Sequence, residues 1–256
     1  MERKNKTRTN ERTDPAKIQL KTEKSDVLKM PILPQCAKCP GAYCRNMPIE
    51  EIRKDILPEY CPMKTSEETI KSVIEKYMMD DVKKIYVPAT ITEKEAYEVV
   101  RGVRMAVRPR IKELIEYGKL IKAQKIGVAF CAGLRDEGAR IVKIIEDSGF
   151  TVASVMCKCG GTDKEKLGVE KEYKIEDPLK FEPGCNPVLQ ATLLNNSETD
   201  INVIVGLCLG HDMLFTMNSK APVTTLIVKD RMLGHNPVIA LYSNFHKSII
   251  ESQKRK

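Results

Sequence analysis

Nine cysteines carry most of the chemistry this sequence could perform. Four of them fall within 26 residues, as Cys36-x2-Cys39-x4-Cys44-x16-Cys61. Two thiolates two residues apart can grip one metal from a tight turn, and two more from flanking loops complete a four-sulfur shell. Gly41 permits close approach of the backbone, and Pro40 and Pro62 stiffen the chain beside two of the ligands. Zinc and a [4Fe–4S] cluster both accept four thiolates, so the metal stays open between them.

The remaining cysteines are Cys131, Cys157, Cys159, Cys185 and Cys208. Cys131, Cys157 and Cys208 each end a short apolar run of strand type, and Cys185 precedes Asn186-Pro187, where a helix should start. In an open parallel sheet, ligands bind at the carboxyl ends of the strands, and right-handed crossovers bring all those ends to one edge. A helix N-terminus also favours a thiolate. Cys131, Cys157, Cys185 and Cys208 are therefore expected to share one cofactor-binding or metal site, with Cys159 left over. The competing reading is that buried cysteine is simply common in strands.

His211 and Asp212 follow Cys208 within one turn, in Cys208-Leu-Gly-His-Asp. They are the candidate catalytic pair, with His211 as metal ligand or proton carrier and Asp212 either orienting it or capping the next helix. His235 lies in Gly234-His-Asn-Pro, after a Lys229-Asp230-Arg231 turn whose default reading is a solvated one. The charged stretch 158–184 leaves from Cys157 and returns to Cys185, which suits a cover over the shared site as well as an idle surface excursion. Motifs for a P-loop, a dinucleotide fingerprint or a serine nucleophile elbow are missing.

The elements that must position these residues read as follows. An amphipathic helix is expected over 66–84. A second helical stretch at 93–123 should open on a Thr92/Glu95 capping box and be kinked or divided by Pro109. Strands at 125–131, 151–157, 201–208 and 223–228 alternate with helices at 134–148, 187–196 and 211–218, and a last helix is expected at 238–253. Nearly continuous apolar strands alternating with helices imply a mostly parallel sheet covered on both faces. The predicted fold is three-layer, Rossmann-like α/β with a small cysteine-rich metal-binding head. The expected divisions are a disordered basic tail at 1–30, the head at 31–65, a helical segment at 66–124 and the α/β body at 125–256.

The chain has 256 residues with 43 Lys+Arg against 35 Asp+Glu, and half of that excess of +8 lies in residues 1–30. The rest has no basic stripe, no Trp and few aromatics, which argues against nucleic acid. No apolar run approaches the ~20 residues of a membrane span, and the first residues are polar rather than signal-like. A cytoplasmic, reducing setting is expected, in which cysteines serve metals or reactions before disulfides.

The succession of Cys36-x2-Cys39-x4-Cys44, Cys131-Ala-Gly-Leu, Cys185-Asn-Pro, Gly206-Leu-Cys-Leu-Gly-His-Asp212, Ala221-Pro-Val-Thr-Thr-Leu, Lys229-Asp-Arg and Gly234-His-Asn-Pro resembles one prokaryotic family of unknown function whose members are usually labelled metal-binding proteins. The resemblance spans roughly residues 36–245 and implies metal binding through the head cysteines, but no reaction. The long gap before Cys61, the position of Cys159 and the basic N-terminus depart from the family's pattern. The expectation that accounts for the most cysteines is a cytoplasmic iron–sulfur or redox metalloprotein with an electron-transfer partner. A zinc-structured non-redox thiol enzyme and a non-catalytic metal-handling protein are the alternatives, so enzyme activity itself is left open.

Overall fold

A computed structural model describes residues 32–252, so the tail expected at 1–30 lies outside the described residues. The chain divides between Ile74 and Glu75 into two compact units.

The first unit is built of short turns. Three 3-10 turns (Cys36–Lys38, Tyr43–Arg45 and Lys54–Ile56) precede helix α1 (Pro62–Thr65) and the start of α2 (Glu67–Lys76). Prolines at 34, 40, 48, 58 and 62 keep breaking the chain, which prevents longer helices here. Ile52 and Leu57 form the buried apolar part. Pro62 stands at the first position of α1, where its missing N–H costs nothing.

The helix expected over 66–84 is two helices, α2 and α3 (Asp80–Glu95), broken at Tyr77–Met79 and restarted by Asp80 and Asp81 at a helix N-terminus. Thr92 does not open a helix. It sits in the last turns of α3 with its hydroxyl donating to Pro88 O at 2.9 Å. A β-hairpin follows, β1 (Tyr97–Val100) and β2 (Val103–Ala106). Its turn residues Arg101 and Gly102 both have positive φ, 52° and 77°, as a two-residue hairpin turn of primed type requires. The Val-rich flanks favour strand, and this overrides the helical reading of 93–123. Pro109 divides that stretch as expected, by N-capping α4 (Arg110–Leu120).

The sheet consists of β3 (Lys125–Phe130), β4 (Thr151–Met156), β5 (Ile201–Val205) and β6 (Val223–Ile227), in the order β4-β3-β5-β6, with all pairs parallel. Helices α5 (Arg135–Asp147), α6 (Pro187–Asn196) and α7 (His211–Asn218) make the crossovers. Because β4 and β5 lie on opposite sides of β3, right-handed connections put α5 on one face and α6 and α7 on the other. Packing agrees. A Cβ on Gly127 would come within 3.0 Å of Leu194 on α6, whereas one on Gly138 of α5 would meet the neighbouring-parity Phe130 at 3.2 Å. The α/β body is thus three-layered, and the central strands are mainly apolar, with the buried Asn202 of β5 satisfied by Thr199 and Ser219. Ile126, Val128, Ala129, Val203 and Val205 are fully buried. The outer strand β6 is guarded by Arg110, which donates to Thr225 O at 2.9 Å and Thr224 Oγ1 at 3.0 Å.

One strand end and one helix differ further from expectation. β5 stops at Val205 because Gly206, at φ 65°, turns the chain and gives its N–H to Ile227 O of β6 at 2.8 Å. The expected C-terminal helix is two, α8 (Ile239–Tyr242) and α9 (Asn244–Ser252), interrupted at Ser243. The reversal of direction between β4 and β5 makes the crevice at the carboxyl ends of β3 and β5 the switch point, where doubly wound sheets bind ligands.

Candidate metal centre

Every strand of the sheet ends in a connection that delivers a chemically active side chain to this edge. Cys131 directly follows β3 and Cys157 directly follows β4. Cys208 lies three residues beyond β5, Lys229 two beyond β6, and Cys185 two before α6. Asn186 holds Cys185 in place. Its N–H bonds Cys157 O at 2.8 Å, and its side chain caps α6 by accepting from Leu189 N at 3.0 Å. Gly210, at φ 84°, turns the chain into α7, so that His211 N reaches back to Cys208 O at 2.9 Å.

The result is a convergent cluster. The sulfurs of Cys185 and Cys208 and a ring nitrogen of His211 all lie within 4.8 Å of one another. Cys157 Sγ is 3.8 Å from Cys185 Sγ and accepts the N–H of Ala132 at 3.3 Å. His211 Nδ1 is buried and has no hydrogen-bond partner among the described residues, so a lone pair or an N–H is left without a mate. Among the described residues this is the one group of three potential ligands drawn so close.

Two cations face the thiols. Lys229 Nζ stands 3.4 Å from Cys131 Sγ, and an Arg231 guanidinium nitrogen stands 2.9 Å from Cys208 Sγ. Asp230 between them turns inward, its carboxylate accepting Met232 N and Leu233 N at 3.0 and 2.9 Å, while its own N–H donates to His235 Nδ1 at 3.1 Å. The 229–231 turn is therefore not an idle solvated one, and His235 (φ 66°) is one of its struts. Gly133 leaves room for the lysine, since a Cβ there would lie 3.3 Å from Lys229 Nζ.

The thiols divide the charge between them. Cys157, nearly inaccessible, is pushed up by its contacts with the Cys131 and Cys185 sulfurs and by desolvation. Cys131 is held down by the Cys157 thiol first, then by the Gly133 N–H and Lys229. Cys185 is held down by Cys157 first, then by Lys158 and His211. Burial raises Cys208, and Arg231 opposes that. The surroundings thus favour the neutral form of Cys157 and the charged form of Cys131 and Cys185.

Other candidates fall elsewhere. Asp212 does not orient His211; its carboxylate accepts Met213 N at 2.8 Å at the start of α7 and serves that helix terminus. Cys159 stands two residues past Cys157 with its N–H on Met156 O, outside the close group. The stretch 158–184 closes on itself. Lys174, with its side chain 2% exposed, bridges Glu165 at 2.6 Å and Asp163 at 3.3 Å, and Lys164 bridges Glu182 at 2.5 Å. An apolar cavity of about 400 Å³ between α3, α4 and β6 holds none of the cysteines.

In the first unit, the N–H groups of Gly41, Ala42 and Tyr43 are directed at Cys39 Sγ and hold that thiol below its ordinary value, Gly41 most of all. A Cβ on Gly41 would lie 2.5 Å from the Tyr43 ring, so the ring packs over the glycine. Tyr60 OH donates to Lys38 O at 2.8 Å, tying the residue before Cys61 to the residue before Cys39. Cys36 and Cys44 are exposed, Cys61 N-caps α1, and the four head sulfurs are not gathered as closely as Cys185, Cys208 and His211 are.

Residues 61–226 match the family described as "Protein of unknown function (DUF1847)". The chain belongs to this family. A DUF1847 relative in Methanocaldococcus jannaschii, "Uncharacterized protein MJ0455", is 40% identical over 220 residues, which is 86% of this chain and 100% of the relative. No solved structure matches. The span matched to DUF1847 includes Cys61, all five body cysteines and His211, and ends before Lys229 and Arg231. Those two cations were read from the sequence as part of a solvated turn, and the structure sets them against Cys131 and Cys208. The signal available for them was their position, one residue either side of an aspartate at the same strand edge as the thiols.

Proposed function

We propose that this is a metal-binding protein of iron–sulfur or redox type, with its principal centre at the carboxyl edge of the sheet. The observation that carries the reading is the convergence of Cys185, Cys208 and His211 within 4.8 Å, with Cys157 3.8 Å from Cys185. The donor set suits a soft metal. A 2.3 Å metal–sulfur bond at a tetrahedral angle places neighbouring sulfurs about 3.8 Å apart. Cys157, Cys185, Cys208 and His211 would hold the group, and Cys131 is a further thiolate beside it. A thiolate-bound iron centre would supply one-electron chemistry, with His211 available to carry a proton and an electron-transfer partner as its redox counterpart. Lys229 and Arg231 favour a centre of net negative charge, as a thiolate-rich iron centre would be. The head, with Cys36, Cys39, Cys44 and Cys61, is proposed as a second thiolate site.

A second reading has its own support. If zinc occupies the four nearer donors, Cys131 stays outside the shell with Lys229 as its counter-ion, and the protein is a zinc-structured thiol enzyme rather than a redox protein. Purification without oxygen, followed by counting iron, zinc and sulfide per chain, tests both. Matching iron and sulfide with visible absorption supports the first. Colourless stoichiometric zinc without iron overturns the first and supports the second. A reduced, folded protein with no bound metal overturns both. A Cys185→Ser/Cys208→Ser variant should lose the body metal and keep any metal held by the head.

A further inference from the structure

The body thiols are partnered in two ways. Cys131 and Cys208 each face a cation, Lys229 and Arg231. Cys157 and Cys185 face each other, with sulfurs 3.8 Å apart, and the Asn186 N–H to Cys157 O bond of 2.8 Å fixes their backbones side by side. Cys131 also touches the Cys157 thiol, but it is itself buried, so it is not the sulfur that meets a reagent first. They also differ in access. Cys157 is 3% exposed, whereas Cys185 is half-buried and open to solvent. This is the asymmetry of a dithiol couple, with an outer sulfur that meets a reagent and an inner one that resolves the adduct.

The geometry points to a reversible Cys157–Cys185 disulfide, formed by exchange with a low-molecular-weight disulfide and mutually exclusive with metal at the same edge. The last clause rests on the proposed metal centre; the disulfide itself does not. Cys185 sulfur attacks one sulfur of the small disulfide, forming a mixed disulfide and releasing one half as a thiol. Cys157 sulfur then attacks Cys185 sulfur, its proton leaving with the second half. The two protein thiols lose two hydrogens and two electrons, and the small disulfide becomes two thiols. A shift of under 2 Å closes the sulfurs from 3.8 Å to a bond of about 2.05 Å.

The test uses the full-length, metal-free, reduced protein titrated with oxidised glutathione and mapped by mass spectrometry. Trypsin cuts at Lys158 and separates Cys157 from Cys159, and a glutamate-specific protease cuts at Glu198 and separates Cys185 from Cys208. The expected product is a single crosslink joining Cys157 to Cys185, reversed by dithiothreitol. Cys157→Ser should instead accumulate glutathione on Cys185. A crosslink through Cys131 or Cys208, or glutathione settling on another cysteine in that variant, overturns the assignment. So does a protein that keeps all nine thiols at large excess of oxidant. Zinc(II) uptake, followed by competition with a chelating dye, should be greater in the reduced form than in the oxidised form by the body's share, any zinc held by the head being common to both, and equal uptake by both forms overturns the exclusivity. If the reduced form takes up no zinc or iron, the metal-centre reading fails alone, and the mapped crosslink still decides the couple.

Discussion

Gly206→Ala should destabilise the protein through two separable effects. Gly206 ends β5 and starts the turn that carries Cys208 and His211, and its φ is 65°. A left-handed alanine costs about 1–2 kcal/mol. The new Cβ would also lie 2.8 Å from Leu134 Cδ1, a fully buried side chain with no open space to retreat into. Overpacking of this kind costs about 1–3 kcal/mol. The sum is about 2–5 kcal/mol, and near its middle it lowers the melting temperature by roughly 6–12 °C for a chain of this size. Leu134→Ala alone should cost about 2–5 kcal/mol as a cavity. In the double variant the clash disappears and the backbone strain remains, so its loss should fall short of the sum of the singles by about 1–3 kcal/mol. Denaturant unfolding of the metal-free protein measures all three. Metal affinity should drop about 10- to 100-fold in Gly206→Ala, the usual scale for lost outer-shell support. A Gly206→Ala protein within about 0.5 kcal/mol of the parent, or singles that add within that margin, would refute the reasoning.

Three further outcomes are expected. Cys159→Ser should leave the metal content unchanged, whereas Cys208→Ser should remove the body metal; elemental analysis of the two variants side by side checks this. Gly133→Ala puts a Cβ 3.3 Å from Lys229 Nζ and should slow alkylation of Cys131 by iodoacetamide several-fold, as Lys229→Met should, with Cys159 labelling as the internal control. The 158–184 excursion should open in acid. Asp163 is held below the usual carboxylate range chiefly by the Glu165 N–H, and Glu182 by Lys164, so their stabilisation is complete above about pH 5 and is lost as the pH falls below about 4. Hydrogen-exchange protection at the Glu182 and Gly184 amides, corrected for intrinsic rates, reports it, and Lys174→Met should remove that protection at neutral pH.

The parallel sheet was legible because its strands are short apolar runs separated by helical periods, and α6 and α7 match their sequence boundaries, 187–196 and 211–218. Legibility ended where one local signal competed with another. Thr92 and Glu95 have capping-box spacing, yet the β-branched run from Tyr97 onward, with Arg101-Gly102 as its turn, decides that region. Cys208 looked like a strand end, yet Gly206 stops β5 earlier and makes Cys208 part of a turn, where it can approach Cys185 and His211. The gathering of Cys131, Cys157, Cys185 and Cys208 was expected from three strand ends, one helix start and crossover handedness. The pairing of each thiol did not, because Lys229 and Arg231 acquire their role only from the direction in which Asp230 and His235 fold their loop.

The donors at the sheet edge come from three separate connections spread from residue 131 to residue 211. No fragment shorter than β3 through α7 holds them all. A metal bound there closes several long loops at once, so it can be captured only after β4 and β5 have docked on β3. During synthesis, loading would therefore come late and act as a check on topology. A chain with a misplaced crossover would present scattered thiols and stay empty. Once loaded, the chain gains stability by mass action, about 2.7 kcal/mol at a free metal concentration 100 times the dissociation constant. The metal would then leave no faster than the whole edge opens.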